Sequence, residues 1–234
     1  ILEHVLDAVV SAGVRDITVV VGYKKEQVMK FLNTYPVPVK VVVQEKQLGT
    51  FHALSCAKNE VTADRLLIIP GDNYVTAASL KSLLQETNAT LVAPHTRPWD
   101  YGVITQKEGT LCSTNMRAFD APPGTLVETG TYLLERKLYE AFFALEKPDD
   151  IVDEMSYTGH DVRVVEAKDW YDADCFADLL ELNRYLLSKQ TASLGGSIDQ
   201  RATIRGHVGI GKDVTVGPGT VITGPAILGD GCVI

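Results

Sequence analysis

The sequence predicts a two-part protein: an α/β region on a mostly parallel sheet with flanking helices, then a parallel β-helix. In the first part, short β-branched runs alternate with segments of helical period, the order that builds right-handed crossovers. In the second, from Ile198 onward, a branched aliphatic recurs every six residues. That period fits neither a 3.6-residue helix nor a hairpin, but it fits a coil whose flat sides are one hexad long.

Taken in order, "ILEHVLDAVVSAGV" has apolar residues at helical spacing (Ile1, Val5, Leu6, Val9, Val10) and reaches Gly13, a helix stop. "DITVVVGY" is too short for a helix and too uniformly apolar for a half-exposed strand, so a strand covered on both faces is expected. The same patterns predict helices over 25–32, 50–57 and 77–86, and strands over 39–43, 65–69 and 90–94. "YGVITQKEGTLCS" reads as a hairpin around Glu108-Gly109, "TLVETGTYLLE" and "DVRVVEA" as strands, and "ADLLELNRYLLSK" as a long amphipathic helix. The hexad aliphatics are Ile198, Ile204, Ile210, Val216, Ile222, Leu228 and Ile234. Four positions after the first six come Ala202, Val208, Val214, Thr220, Ala226 and Cys232, all small or medium.

The 234 residues suit one large domain or a domain with an appendage, and 45% hydrophobic content is enough for a full core. The net charge of −8 comes without any Lys/Arg run, so nucleic acid is not an expected partner. Cys56, Cys112, Cys175 and Cys232 are far apart with no CxxC spacing, which predicts thiols of a reducing compartment and no zinc site. The five histidines show no metal-ligand spacing. No apolar stretch approaches the roughly 20 residues that span a bilayer, and no signal peptide is visible. A soluble, cytoplasmic protein without membrane partners is expected. The chain starts at Ile1 inside a helix and stops at Ile234 inside a repeat, which suggests that both ends are cut.

"LLIIPGDNYV" is a buried strand that breaks at Pro70-Gly71-Asp72-Asn73. In an open α/β sheet, ligands bind beyond the carboxyl ends of strands. There Gly71 admits an approaching group and Asp72 offers a hard oxygen of the kind Mg²⁺ prefers; a surface Asx turn is the alternative. "DWYDAD" places Asp172 at a second strand end, so two carboxylates could hold one metal, while Asp174 could cap the following helix. Gln44, leading into "EKQLGT", has the donor and acceptor to read a nucleobase edge, and Gly49 permits a flat ring to come close. An ordinary strand–helix loop with Thr50 as cap is equally compatible. Gly102 marks either close approach of a ligand or a plain strand start. His207 could act as a base in acyl transfer or be an exposed repeat residue.

Together and in order, "VVVGYKKEQV", "QEKQLGTFHAL", "IIPGDN", "YGVI", "ETGTYLLE" and "WYDADCFADLLELNRYLL" resemble the signature segments of the sugar-1-phosphate nucleotidylyltransferases. Several branches of that family append a hexapeptide β-helix. The resemblance implies a Rossmann-like nucleotidyltransferase domain over residues 1–190 and a left-handed parallel β-helix over 197–234. It also implies that Gln44 and Gly49 contact the base of a nucleoside triphosphate. Asp72 and Asp172 would bind catalytic Mg²⁺, Gly102 would face the sugar, and Glu128, Thr129 and Gly130 would lie nearby. The partners would be a nucleoside triphosphate, a sugar 1-phosphate and further copies of the chain in a homo-oligomer. The mild preference is thymidylyl or uridylyl transfer to glucose 1-phosphate.

Two departures stand out. The family's opening strand and Gly-rich phosphate loop have no counterpart after Ile1, so this fragment is expected to be impaired. The Glu-Lys-Pro that often precedes the strand matching "TGTY" is replaced by "AFDAPPG", and Glu146-Lys147-Pro148 falls after that strand. The alternatives are a non-catalytic scaffold or regulatory relative, and a bifunctional enzyme whose longer β-helix transfers an acyl group.

Overall fold

In the computed structural model, which describes residues 1–116, 118–143, 161–190 and 193–234, the first helical segment is α1 (Leu2–Ser11). It buries Val5, Leu6, Ala8 and Val9, and the chain leaves it through Gly13 at φ +102°. β1 (Thr18–Val21) follows, then α2 (Lys25–Leu32) and β2 (Lys40–Val43), and the two strands pair in parallel. Next come α3 (Thr50–Ala57), β3 (Arg65–Ile68), the two-residue β4 (Tyr74–Val75), α4 (Ala77–Leu83) and β5 (Ala89–His95). β6 (Gly102–Lys107) and β7 (Thr110–Met116) form the expected hairpin, with Glu108 and Gly109 both at positive φ in the turn. β8 (Thr125–Glu135) runs directly into α5 (Arg136–Phe142), and β9 (Arg163–Glu166) and β10 (Trp170–Tyr171) close the series. Glu146-Lys147-Pro148 lies outside the described residues.

The expected mostly parallel sheet needs correction. The main sheet has six strands in the order β3-β8-β5-β9-β7-β6 and is mixed. β5 and β9 pair in parallel, but β8 is inserted between β3 and β5 and runs antiparallel to both. The reason lies in the sequence pattern. Period-2 alternation and β-branching decide that a segment is a strand and which faces it covers, but they carry no strand direction.

Both faces of this sheet are covered. On one, Leu91, Ala93, Val127 and Leu133 pack with α1 and α4 through Leu6, Val9, Leu80 and Leu83. On the other, Leu66, Val92, Tyr132 and Leu134 pack with Leu138, Tyr139 and Phe142 of α5. Tyr132, Leu133 and Leu134 of β8 thus alternate between two cores, which is why these three successive positions are all apolar. Tyr139 is buried, donates its hydroxyl to the Leu54 carbonyl at 2.8 Å, and has its pKa pushed up to about 12 by that burial.

The chain divides into two compact units, Ile1–Asp172 and Ala173–Ile234, so the spatial division falls earlier than the change of sequence pattern near residue 190. The second unit holds α6 (Phe176–Lys189), whose N-cap is Cys175; Asp178 accepts the Cys175 N–H at 3.0 Å. Asp174, expected as the cap, does not take that place. Short strands follow: β11 (Ser193–Leu194), β12 (Ser197–Ile198), β13 (Thr203–Arg205), β14 (Val208–Ile210), β15 (Thr215–Val216), β16 (Val221–Thr223) and β17 (Ala226–Leu228). They stack in three parallel ladders. Ser197 lies opposite Thr215, Thr203 opposite Val221 and Val208 opposite Ala226, each eighteen positions on. Ile198, Ile204, Ile210, Val216, Ile222 and Leu228 share one apolar cluster with Ala202, Val208, Val214, Ala226 and Cys232.

Candidate functional site

β3 ends at Ile68, and Ile69-Pro70-Gly71 carry the chain beyond the sheet to an exposed Asp72. The next residues form β4, which pairs antiparallel with β10, Trp170 opposite Val75 and Tyr171 opposite Tyr74. Continuing that register by one residue sets Asp172 beside Asn73. Asn73 is only 4% exposed, and its amide nitrogen donates to Asp72 Oδ1 at 3.2 Å and to Asp172 Oδ1 at 3.0 Å. Its carbonyl oxygen accepts from Trp170 Nε1 at 2.7 Å. The two predicted acids are therefore brought together, no farther apart than two hydrogen bonds to one nitrogen allow. The Trp170 ring stands edge-on to His95 and Tyr101, at 5.9 and 5.5 Å, which places an aromatic wall next to Gly102 in the chain.

Among the described residues no group of three or more His, Cys, Asp or Glu side chains converges. A cation at this point would therefore draw on two carboxylates and complete its sphere with phosphate oxygens and water, a donor set that suits Mg²⁺ and not zinc.

Gln44 follows the end of β2 and is buried. Its Nε2 donates to the Gly49 carbonyl at 3.1 Å and meets His52 Nδ1 at 3.0 Å. A backbone carbonyl can only accept, so the orientation of the Gln44 amide is set, and in the neutral ring His52 carries its proton on Nε2. Both amide hydrogens of Gln44 are thus spent inside the loop, and the expectation that its side chain offers donor and acceptor to a base is corrected to acceptor alone. Gly49 sits at φ +91° with nothing within 4 Å of where a Cβ would be. It is also the N-cap of α3, the place expected for Thr50.

Gly102 is buried at the start of β6. A Cβ there would stand 2.6 Å from Thr114 Cγ2 and 2.8 Å from Glu128 Oε1, so the glycine makes room for the Glu128 carboxylate. Glu128 is half-buried, and Tyr132 donates its hydroxyl to Oε2 at 3.2 Å. Between Thr90 and Val92 the β5–β8 register shifts. In that bulge Thr129 is buried with its hydroxyl donated to the Leu91 carbonyl at 2.8 Å, while Gly130, at φ +71°, lies where a Cβ would stand 2.8 Å from Pro70 Cγ. The structure thus ties the Glu128–Gly130 stretch to the strand end carrying Asp72, but the Thr129 hydroxyl is occupied internally. His207 is exposed.

Asn73, Trp170 and His52 were not singled out by sequence reasoning. Each lies inside a segment quoted for its neighbours, "PGDN", "DWYDAD" and "GTFHAL", so the residue types were in view and only their partners were not.

Fold and site define a nucleotidyltransferase-like α/β domain. The family described as MobA-like NTP transferase domain matches residues 1–185, and the chain belongs to that family. Among curated proteins, the bifunctional protein GlmU of Shouchella clausii is 27% identical, over 100% of this chain and 57% of that protein. The low-salt glycan biosynthesis nucleotidyltransferase Agl11 of Haloferax volcanii is 25% identical, over 89% of this chain and 63% of that protein. The chain spans about half the length of the curated relatives it matches. Among solved structures, the inositol-1-phosphate CTP transferase from T. maritima superposes with a TM-score of 0.65 at 20% identity, covering 76% of this chain and 77% of that one. HddC from Yersinia pseudotuberculosis gives 0.64 at 18%, covering 77% and 82%. These two likenesses share the fold. No described helix is long and apolar enough to cross a membrane.

Proposed function

We propose that the intact protein is a sugar-1-phosphate nucleotidylyltransferase, moving a nucleotidyl group from a nucleoside triphosphate to a sugar 1-phosphate. The carrying observation is the Asp72–Asp172 pair gathered on Asn73 beyond the strand ends of a MobA-like domain. In the reaction a phosphate oxygen of the sugar 1-phosphate attacks the α-phosphorus. A new P–O bond forms, the bond to the β-phosphate oxygen breaks, and pyrophosphate leaves. Mg²⁺, held by Asp72 and Asp172, would supply charge neutralisation for this in-line displacement. Gln44 offers its carbonyl oxygen to an N–H on the base edge, and Gly49 leaves space for the ring. An imide N–H suits an acceptor, which favours thymidylyl or uridylyl transfer. Glu128, beside Gly102, accepts from sugar hydroxyls, with glucose 1-phosphate the preferred acceptor substrate.

Residues 197–234 are proposed to be a left-handed hexapeptide β-helix, a reading supported by the eighteen-residue stacking interval, three hexads per turn. A cytoplasmic homo-oligomer is proposed as the working form. A second activity is favoured by the word "bifunctional" in the names of several relatives; acyl transfer by a longer β-helix is the form proposed for it, and consumption of an acyl donor by the full-length chain tests it.

The test of the transfer is pyrophosphate release by the full-length natural chain with Mg²⁺, glucose 1-phosphate and each nucleoside triphosphate in turn, with Asp72→Asn as control. Release with one nucleotide, lost in the variant, is expected. No release with any donor or sugar 1-phosphate leaves a non-catalytic relative as the better reading.

A further inference from the structure

The geometry points to Asn73 as the residue that sets the spacing and orientation of the Asp72–Asp172 pair, a positioning residue for the divalent cation; the inference rests on the transfer reading above. Two carboxylates brought side by side repel. A donor placed between them offsets that repulsion. Asn73 supplies it from a buried position, one nitrogen reaching Oδ1 of each acid at 3.2 and 3.0 Å.

The orientation of this amide is not free. Trp170 Nε1–H can only donate, so at 2.7 Å it must face the Asn73 carbonyl oxygen, and the two amide hydrogens are turned toward the acids. Trp170 is itself held by the pairing of β10 with β4 and by edge contacts with His95 and Tyr101. Indole to carbonyl, then amide to two carboxylates, is therefore one connected set of hydrogen bonds that presents two anions at one point. The amide is not itself a cation ligand, because its oxygen is taken by the indole and its nitrogen carries the donated hydrogens. Partners of this kind, which orient metal-binding carboxylates without touching the metal, commonly change affinity by about 10–100-fold when removed.

The test uses the full-length natural protein and Mn²⁺ as the probe, with bound Mn²⁺ read from the loss of the free-ion electron paramagnetic resonance signal, with and without pyrophosphate. Wild type should bind Mn²⁺, and Asp72→Asn should lose it. Asn73→Ala should bind about tenfold more weakly, and Trp170→Phe should weaken binding in the same direction by less. At saturating Mn²⁺ the transfer rate of Asn73→Ala should recover, whereas that of Asp72→Asn should not. If wild type binds Mn²⁺ and Asn73→Ala binds it equally well, the role of Asn73 is overturned and the transfer reading stands. If wild type binds none even with pyrophosphate, the metal reading falls and this inference falls with it. Should Asn73→Ala fail to fold by circular dichroism, Trp170→Phe decides, and an unchanged affinity in that variant overturns the inference.

Discussion

The two units bury their apolar residues in opposite ways. In the first, the fully buried side chains are large, among them Leu80, Leu83, Leu133, Tyr139 and Phe142, and they come from helices and strands far apart in the chain. In the second, Val208, Ile210, Val214 and Val216 form the buried centre, and β12, β13 and β14 each stack on a strand eighteen positions further on. A layered core brings unlike residues together; a repeat brings like residues to like places. The candidate chemistry lies in the layered unit, where Asp172 meets Asn73 across ninety-nine positions. The repeat offers regularity, and its exposed His207 has no comparable setting.

Substitutions can sharpen that contrast. The largest effect is expected from Asp172→Asn, which should cut pyrophosphate release by the full-length protein on the order of a thousandfold, about 4 kcal/mol of barrier, with the circular dichroism spectrum unchanged. In the layered core, Leu80→Ala should cost about 3 kcal/mol in urea denaturation, because a fully buried leucine leaves a cavity its neighbours only partly fill. In the repeat, Gly196→Ala forces a Cβ onto the Val214 backbone at φ +74°, a loss of about 2 kcal/mol. Ile210→Val should cost about 1 kcal/mol, and its faster hydrogen exchange should be confined to the strands stacked on β14, the mark of a nearest-neighbour core. If exchange instead rises throughout both units, the contrast fails.

The smallest effect is one of pH. Tyr139 has a folded pKa of about 12 against 10.0 for the free side chain, raised by desolvation. The unfolded chain therefore releases this proton first. The contribution of Tyr139 to stability is full below pH 10 and is lost as pH climbs toward 12. Urea midpoints measured across that range should fall, and in Tyr139→Phe the decline should be shallower.

Much of the layered unit was legible because periodicity reports burial directly. α1, α2, α3 and the β6–β7 hairpin stand where their patterns put them. α5 was missed because β8 passes into it at Glu135 without a turn residue to mark the change. β4 and β10 have two residues each, too few to show any period. Strand direction was not legible either, hence the unexpected antiparallel place of β8. At the site, Asp72 and Asp172 could be picked out because carboxylates at strand ends are local features. Asn73 could not be picked out, since its partner Trp170 lies ninety-seven positions away and nothing local distinguishes a bridging amide from a turn residue. Gln44 shows the same limit, because its type announced hydrogen bonding while Gly49 and His52 decide which of its atoms remain for a ligand.

The two-residue pairing of β4 with β10 has a consequence for the order of events in biosynthesis. The indole that turns Asn73 belongs to the last strand of the layered unit and the second acid directly follows it, so a nascent chain that has folded β3 and α4 still lacks half of the site. Long-range closure of this kind comes late in folding. On the proposed transfer reading, the acid pair is a built-in readout of completed folding: a chain stalled, clipped or misdocked before Trp170 carries Asp72 but not its counterpart, and its pyrophosphate release should be lost.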